Sequence, residues 1–68
     1  MKILFNDREY SVPEKIMLAD ALDMLMQSKN YFGMAVAVNM NIISKELWKG
    51  YELKDRDVLL VIKATQGG

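Results

Sequence analysis

The chain has 68 residues, and its nine basic and nine acidic side chains cancel to a formal net charge of zero. A chain this short buries only about 60% of its unfolded surface, so it forms one small domain with a limited apolar core. It contains no cysteine and no histidine, which excludes disulfides and a catalytic thiol and removes the commonest general base and metal ligand.

Charge and hydropathy also bear on partners and location. Basic residues do not cluster, and no apolar run approaches the roughly 20 residues of a membrane helix. We therefore expect no nucleic-acid partner and no membrane partner. The missing cysteines, and a start without the pattern of a secretory signal, make a cytoplasmic location the expectation.

The first segment predicts a β-hairpin. Residues 2–5 form a short apolar run, and residues 9–12 alternate polar and apolar side chains. Between them, Asn6 and Asp7 tolerate left-handed backbone and favour a tight turn. Pro13 ends the second strand because it has no N–H to donate to a ladder.

Residues 18–29 are predicted to form a helix. Leu18, Leu22 and Leu25 recur at i, i+4 and i+7, which places them on one helical face. The helix is expected to end before the break at residues 30–33. Because a single helix cannot bury its own apolar stripe, the pattern also predicts a sheet for it to pack against.

Three further strands are predicted after the helix, at residues 34–38, 42–44 and 58–65. The asparagines of 39–41 favour a tight turn, and residues 54–57 form a polar turn before the last strand. Residues 45–50 are too few for an independent helix, so we expect a helical turn with Trp48 packed inward.

The order ββαβββ predicts an α+β domain in which a mixed sheet of about five strands wraps one helix. The chain between the first and last strands is long enough for the two to lie parallel and adjacent. This arrangement is the β-grasp, or ubiquitin-like, fold. We expect residues 1–64 to form the domain and residues 65–68 to form a flexible tail.

Strand periodicity predicts two faces of the sheet. The inner face, against the helix, would contain Ile3, Phe5, Val36, Val38, Leu59 and Val61. The outer face would contain Leu4, Ala37, Leu60 and Ile62. One helix cannot cover both faces, so the outer set predicts an exposed surface for docking a partner. The alternative is that loops bury the last strand on both sides.

The tail Gln66-Gly67-Gly68 is the candidate reactive end. Glycine has no Cβ, so a Gly-Gly end can pass through a narrow channel. From Thr65 onward the extended tail spans roughly 13 Å, at about 3.3 Å per residue. That reach suits delivery of an acyl group into another protein's active site. A frayed terminus or a cloning scar is the alternative interpretation.

Six segments in chain order carry a family resemblance: Ile3-Leu4-Phe5-Asn6-Asp7, Leu18-Ala19-Asp20-Ala21-Leu22, Ala35-Val36-Ala37-Val38-Asn39, Ile43-Ser44-Lys45-Glu46-Leu47-Trp48, Asp55-Arg56-Asp57 and Gly67-Gly68. Together they resemble the ubiquitin-like sulfur carriers of the ThiS/MoaD superfamily, most closely the ThiS family. The resemblance extends over essentially the whole chain and implies a carrier with no catalysis of its own and no bound cofactor.

The resemblance further implies two partner enzymes. A ThiF-like adenylating enzyme would use ATP to activate the carboxylate of Gly68, and a persulfide sulfur donor would convert it to a thiocarboxylate. Thiazole synthase, a ThiG-like enzyme, would receive the sulfur for thiamine. Carriers that serve molybdopterin synthase or cysteine synthesis share the fold and the tail, and they remain alternatives.

Two other functional classes compete with a carrier. Carboxylates such as Glu14, Asp20 and Asp57 could pair as acid and base, but no phosphate-binding loop or metal-ligand cluster accompanies them. We therefore expect no enzymatic activity and no metal site. A ubiquitin-like interaction or modifier domain, whose tail is inert or joined to lysines, is the second alternative.

Overall fold

The computed structural model describes residues 1–26 and 33–63, and its elements follow the predicted ββαβββ order. Helix α1 spans Leu18–Leu25, and a 3-10 helix spans Lys45–Gly50. The strands are β1 (Lys2–Phe5), β2 (Arg8–Ser11), β3 (Met34–Val38), β4 (Asn41–Ile43) and β5 (Val58–Lys63). β2 and β4 each begin one residue earlier than expected, and the predicted strand residues 64 and 65 lie outside the described residues.

The strands form a five-stranded sheet in the order β2-β1-β5-β3-β4. β1 and β5 run parallel, whereas β1–β2, β3–β4 and β3–β5 are antiparallel. The last strand therefore lies at the centre of a mixed sheet beside the first. This confirms the β-grasp prediction.

The two hairpin turns have the backbone that their asparagines favour. Asn6 and Asp7 have φ of 49° and 69°, and Asn39 and Met40 have φ of 52° and 73°. Positive φ at both central residues is the pattern of type I′ turns, whose twist matches that of the flanking strands. Met40 gains no such preference from its side chain, and a left-handed residue with a Cβ costs about 1 kcal/mol.

The predicted helix boundary at residue 29 is wrong. α1 ends at Leu25, and Met26 is extended, with φ of −104° and ψ of 133°; residues 27–29 lie outside the described residues. At the other end, no side chain caps the helix at Met17, and the Leu18 N–H instead donates to the Tyr51 carbonyl at 2.7 Å. The Tyr51 carbonyl thus satisfies one of the first N–H groups of the helix, which have no hydrogen-bond partner within the helix itself.

The core lies between α1 and the inner face of the sheet. Of the predicted helical stripe, Leu18 and Leu22 are buried there and Leu25 is partly buried against them; Ala21 is buried beside them. The inner residues of the strands also lie where they were expected. Five are buried in the core: Ile3, Phe5, Val36, Val38 and Leu59. Val61 is partly buried and packs against them. Trp48 is buried as expected, and its indole N–H donates to the Ile43 carbonyl at 2.9 Å.

Candidate functional site

The outer face of the sheet carries exposed apolar side chains, which we call the outer patch: Leu4, Ile42, Val58, Leu60 and Ile62. Leu60 is 43% exposed and Ile62 is 46% exposed, although β5 is the central strand. The strand is therefore not buried on both sides by loops. The predicted exposure of Leu4, Leu60 and Ile62 is confirmed.

Ala37 faces the outer side of the sheet as predicted, but it is buried. It lies opposite Leu60 of β5 and Ile42 of β4, so it faces the same side of the sheet as both. Its exposed fraction is only 6%, however. Its methyl group is short and is flanked by two longer side chains, so it forms the floor of the outer patch. The expected exposure of Ala37 is therefore wrong, whereas its place on the outer face is confirmed and its role in docking stays a prediction.

Two residues of the outer patch were missing from the predicted set. Val58 lies beside Leu4 in the parallel ladder, and alternation along β5 already placed it on the same face as Leu60 and Ile62. Ile42 is the most exposed member, at 69%. Its position on the outer face follows from its register opposite Ala37, and the sequence alone does not show that register.

Charged residues border the Leu4 side of the outer patch. Lys2 Nζ lies 3.5 Å from Glu9 Oε1, and Arg56 Nε lies 3.7 Å from Asp55 Oδ2. Together with Ile3 and Leu4, these residues line a surface depression. Exposed ion pairs contribute little to stability, and the two signs are balanced here. The border therefore has no net charge that would favour partners of one sign.

The predicted tail residues Gln66, Gly67 and Gly68 lie outside the described residues, so their reactive role stays a prediction. The last described strand is held on one edge by β3, in which Met34 lies opposite Lys63. On its other edge, the Val61 N–H donates to Asn6 Oδ1 at 3.0 Å. Five residues of sequence, 64–68, follow Lys63.

Residues 1–26 and 33–63 contain neither a metal-binding cluster nor a membrane-spanning helix. No group of three or more aspartates or glutamates in these ranges comes close enough to hold a metal ion. No helix in the same ranges has the length and apolar character needed to cross a membrane.

Sequence comparison finds a matching family and a matching relative. The ThiS family matches residues 2–68. The chain is 31% identical over 68 residues to the "Sulfur carrier protein ThiS" of Escherichia coli (strain K12), with both chains covered completely.

Solved structures share the fold. A crystal structure of the thiamine biosynthesis protein ThiS from Geobacter metallireducens superposes with a TM-score of 0.84 at 20% identity, covering all of both chains. A solution structure of a thiamine biosynthesis protein from the same organism gives a TM-score of 0.74 at 20% identity, covering all of this chain and 88% of the other. At this identity the superpositions establish the fold alone.

Proposed function

The chain belongs to the ThiS family, and from that premise we propose that it carries sulfur for thiamine biosynthesis as a thiocarboxylate on Gly68. The match extends over residues 2–68 and so includes both the β-grasp domain and the Gly67-Gly68 end. The relative from Escherichia coli, which bears the name of a sulfur carrier, supports the same role.

One structural observation carries the proposal: the strand that leads to Gly67-Gly68 is also the strand that presents the outer patch. Leu60 and Ile62 point outward from β5 and are half-exposed. Six residues, 63–68, follow Ile62, which gives a maximum reach of about 20 Å at roughly 3.3 Å per residue. A partner that binds the outer patch is therefore close enough to receive the terminal acyl group.

The chemistry requires little from the carrier itself. A carboxylate is a poor electrophile, so a carboxylate oxygen of Gly68 first attacks the α-phosphorus of ATP, and pyrophosphate leaves. A donor persulfide then attacks the acyl carbon, and AMP leaves. A thiol next cleaves the resulting acyl disulfide at its S–S bond, which releases the thiocarboxylate and forms a new disulfide with the donor. An end built from glycines leaves the acyl carbon unhindered.

The partner enzymes supply every group that this chain lacks. A ThiF-like adenylating enzyme provides the ATP site and works with the sulfur donor, and a ThiG-like thiazole synthase accepts the sulfur. The absence of cysteine and histidine agrees with such a division, since a carrier needs neither nucleophile nor general base of its own. The chain therefore functions as a carrier, and its partners are the catalysts.

Docking at the outer patch is driven by apolar burial. Completing the burial of a half-exposed leucine is worth about 1 kcal/mol, so Leu4 and Leu60 with their neighbours give a useful but reversible contact. The two ion pairs at the border, Lys2–Glu9 and Arg56–Asp55, balance in charge and add specificity more than affinity. Reversible docking suits a carrier that must leave one enzyme before it meets the next.

The direct test is to incubate the chain with a ThiF-like enzyme, ATP, a persulfide donor and a reducing thiol, and then to weigh the intact protein. We expect a mass gain that corresponds to exchange of one oxygen for one sulfur, and no gain in a variant that lacks Gly68. A chain that forms neither an adenylate nor a thiocarboxylate with any such enzyme is not a sulfur carrier of this kind.

A second step identifies the pathway. The thiocarboxylated chain is offered separately to a thiazole synthase, to the large subunit of a molybdopterin synthase and to a cysteine-forming acceptor enzyme. We expect sulfur transfer to the thiazole synthase. Transfer only to another acceptor would retain the carrier function and reject the thiamine pathway.

A further inference from the structure

Asn6 and Asn39 hold opposite edges of β5 in the same way. Each begins a hairpin turn with positive φ, and each hydrogen-bonds to β5 through both its main chain and its side chain. Asn39 lies on the β3 edge at the start of β5, where its N–H donates to the Val58 carbonyl and its Oδ1 accepts the Val58 N–H. Asn6 lies on the β1 edge, nearer the tail.

Asn6 extends the β1–β5 ladder beyond the end of β1. The ladder pairs Leu4 with Val58 and Phe5 with Leu59, and the chain then turns away at Asn6. The Asn6 N–H still donates to the Leu59 carbonyl at 3.1 Å, and Asn6 Oδ1 accepts the Val61 N–H at 3.0 Å. The side-chain oxygen thus takes the place of the main-chain carbonyl that a longer β1 would have supplied.

The position of this hydrogen bond connects it to function. Val61 lies between Leu60 and Ile62, the two outer-patch residues closest to the tail. A bond to the Val61 N–H fixes the peptide group that joins residues 60 and 61. Together with the β3 ladder on the opposite edge, it therefore holds the direction of both outward side chains and of the strand that leads to Gly68.

We propose that Asn6 is a positioning residue for sulfur transfer, because its side chain holds the segment of β5 that links the outer patch to the tail. The inference rests on the proposed sulfur-carrier function and adds to it a specific requirement. With Asn6 in place, a partner docked on Leu60 and Ile62 meets the tail in one direction. Without it, that direction varies, and fewer docked complexes are productive.

The test compares Asn6→Gly with Asn39→Gly. Glycine keeps the positive φ of either turn and deletes the Oδ1 acceptor, so both variants lose a side-chain bond to β5. In Asn6→Gly we expect the Val61 amide to exchange with solvent about tenfold faster. We also expect kcat/KM for thiocarboxylate formation to fall about fivefold, the size expected from one lost hydrogen bond. A fall in kcat with KM nearly unchanged indicates misdirected delivery rather than lost docking.

Two comparisons separate positioning from plain stability. Asn6→Asp retains an oxygen that accepts the Val61 N–H, so it is expected to restore both amide protection and kcat. Asn39→Gly also removes a donor to the buried Asp57 carboxylate, so it is expected to lower the free energy of unfolding at least as much as Asn6→Gly. Its kcat/KM, measured well below the unfolding transition, is expected to stay within about twofold of the parent value.

Each contrary outcome has a definite meaning. Unchanged exchange of the Val61 amide in Asn6→Gly overturns the positioning role, and so does an equal loss of kcat/KM in Asn39→Gly. If no activating enzyme loads even the parent chain, the sulfur-carrier function fails and the role of Asn6 in transfer fails with it. Because amide exchange is measured on the carrier alone, it still shows in that case whether the side chain holds the strand.

Discussion

The two faces of β5 place neighbouring leucines in opposite environments. Leu59 is 1% exposed in the core, whereas Leu60 is 43% exposed on the outer face. The two side chains are chemically identical, and only strand alternation separates them. A chain this short has a small core, so apolar area left exposed on the central strand is area that does not stabilise the fold. The difference shows that the inner face forms the core, and it agrees with the proposal that the outer face is a docking surface.

The largest expected effect tests that division directly. Leu59→Ala removes a fully buried side chain and is expected to lower the free energy of unfolding by about 3 kcal/mol. Leu60→Ala, the matched control one residue away, is expected to cost at most about 1 kcal/mol. Urea unfolding followed by the fluorescence of Trp48 measures both. Equal losses would mean that the two faces do not differ in their contribution to stability.

A second variant tests whether apolar packing alone holds β5. Asp57 is 8% exposed, and its carboxylate accepts hydrogen bonds from Asn39 Nδ2 at 2.9 Å and from the Lys54 N–H at 2.8 Å. Asp57→Ala leaves these donors without their acceptor, at a cost of about 2 kcal/mol. Asp57→Asn retains one acceptor and is expected to lose about half as much on the same urea scale. If Asp57→Ala left the free energy of unfolding unchanged, apolar packing of the inner face alone would hold β5.

Ile62→Asp tests the binding role of the outer face. The side chain is 46% exposed, so the fold is expected to survive, while kcat/KM for activation by a ThiF-like enzyme falls about tenfold, or about 1.4 kcal/mol. Met24→Asp is the matched control, because Met24 is 56% exposed on α1, on the other side of the sheet. It is expected to leave activation unchanged. Unfolding of Ile62→Asp, seen by circular dichroism, would show that the face assignment is wrong.

The smallest expected effect concerns the border of the outer patch. Ile42 lies on the edge strand β4 and is separated from Leu60 by Ala37. Ile42→Ala is expected to lower kcat/KM for activation about twofold, since contacts at the rim of an interface contribute less than those at its centre. A loss larger than that of Leu60→Ala would move the centre of the docking surface from β5 to β4.

Much of the fold followed from local chemistry in the sequence. Asn6 and Asp7 predicted a turn that the structure shows with positive φ at both residues. Alternation predicted the inner residues correctly because one buried face requires a fixed register. The C-terminal end of the helix was predicted too late: the expected helix continued to residue 29, although the apolar stripe ends with Leu25, which is where α1 ends.

The outer patch was only partly predictable, for a physical reason. Alternation states which face a side chain points to, but exposure depends on neighbours from other strands. Ala37 is buried because Leu60 and Ile42 lie on either side of it, and that register is a tertiary property. The hydrogen bond from the Val61 N–H to Asn6 spans 55 positions of sequence, so no local pattern could predict it.

The most direct test of the docking proposal is an NMR cross-saturation measurement on the methyl-labelled carrier in complex with its ThiF-like enzyme. We expect the methyl groups of Leu60 and Ile62 to lose intensity, while those of Leu59 and Val36 keep theirs. Saturation centred on Met24 and the exposed side of α1, with the outer patch unaffected, would contradict the assignment of the outer face as the docking surface.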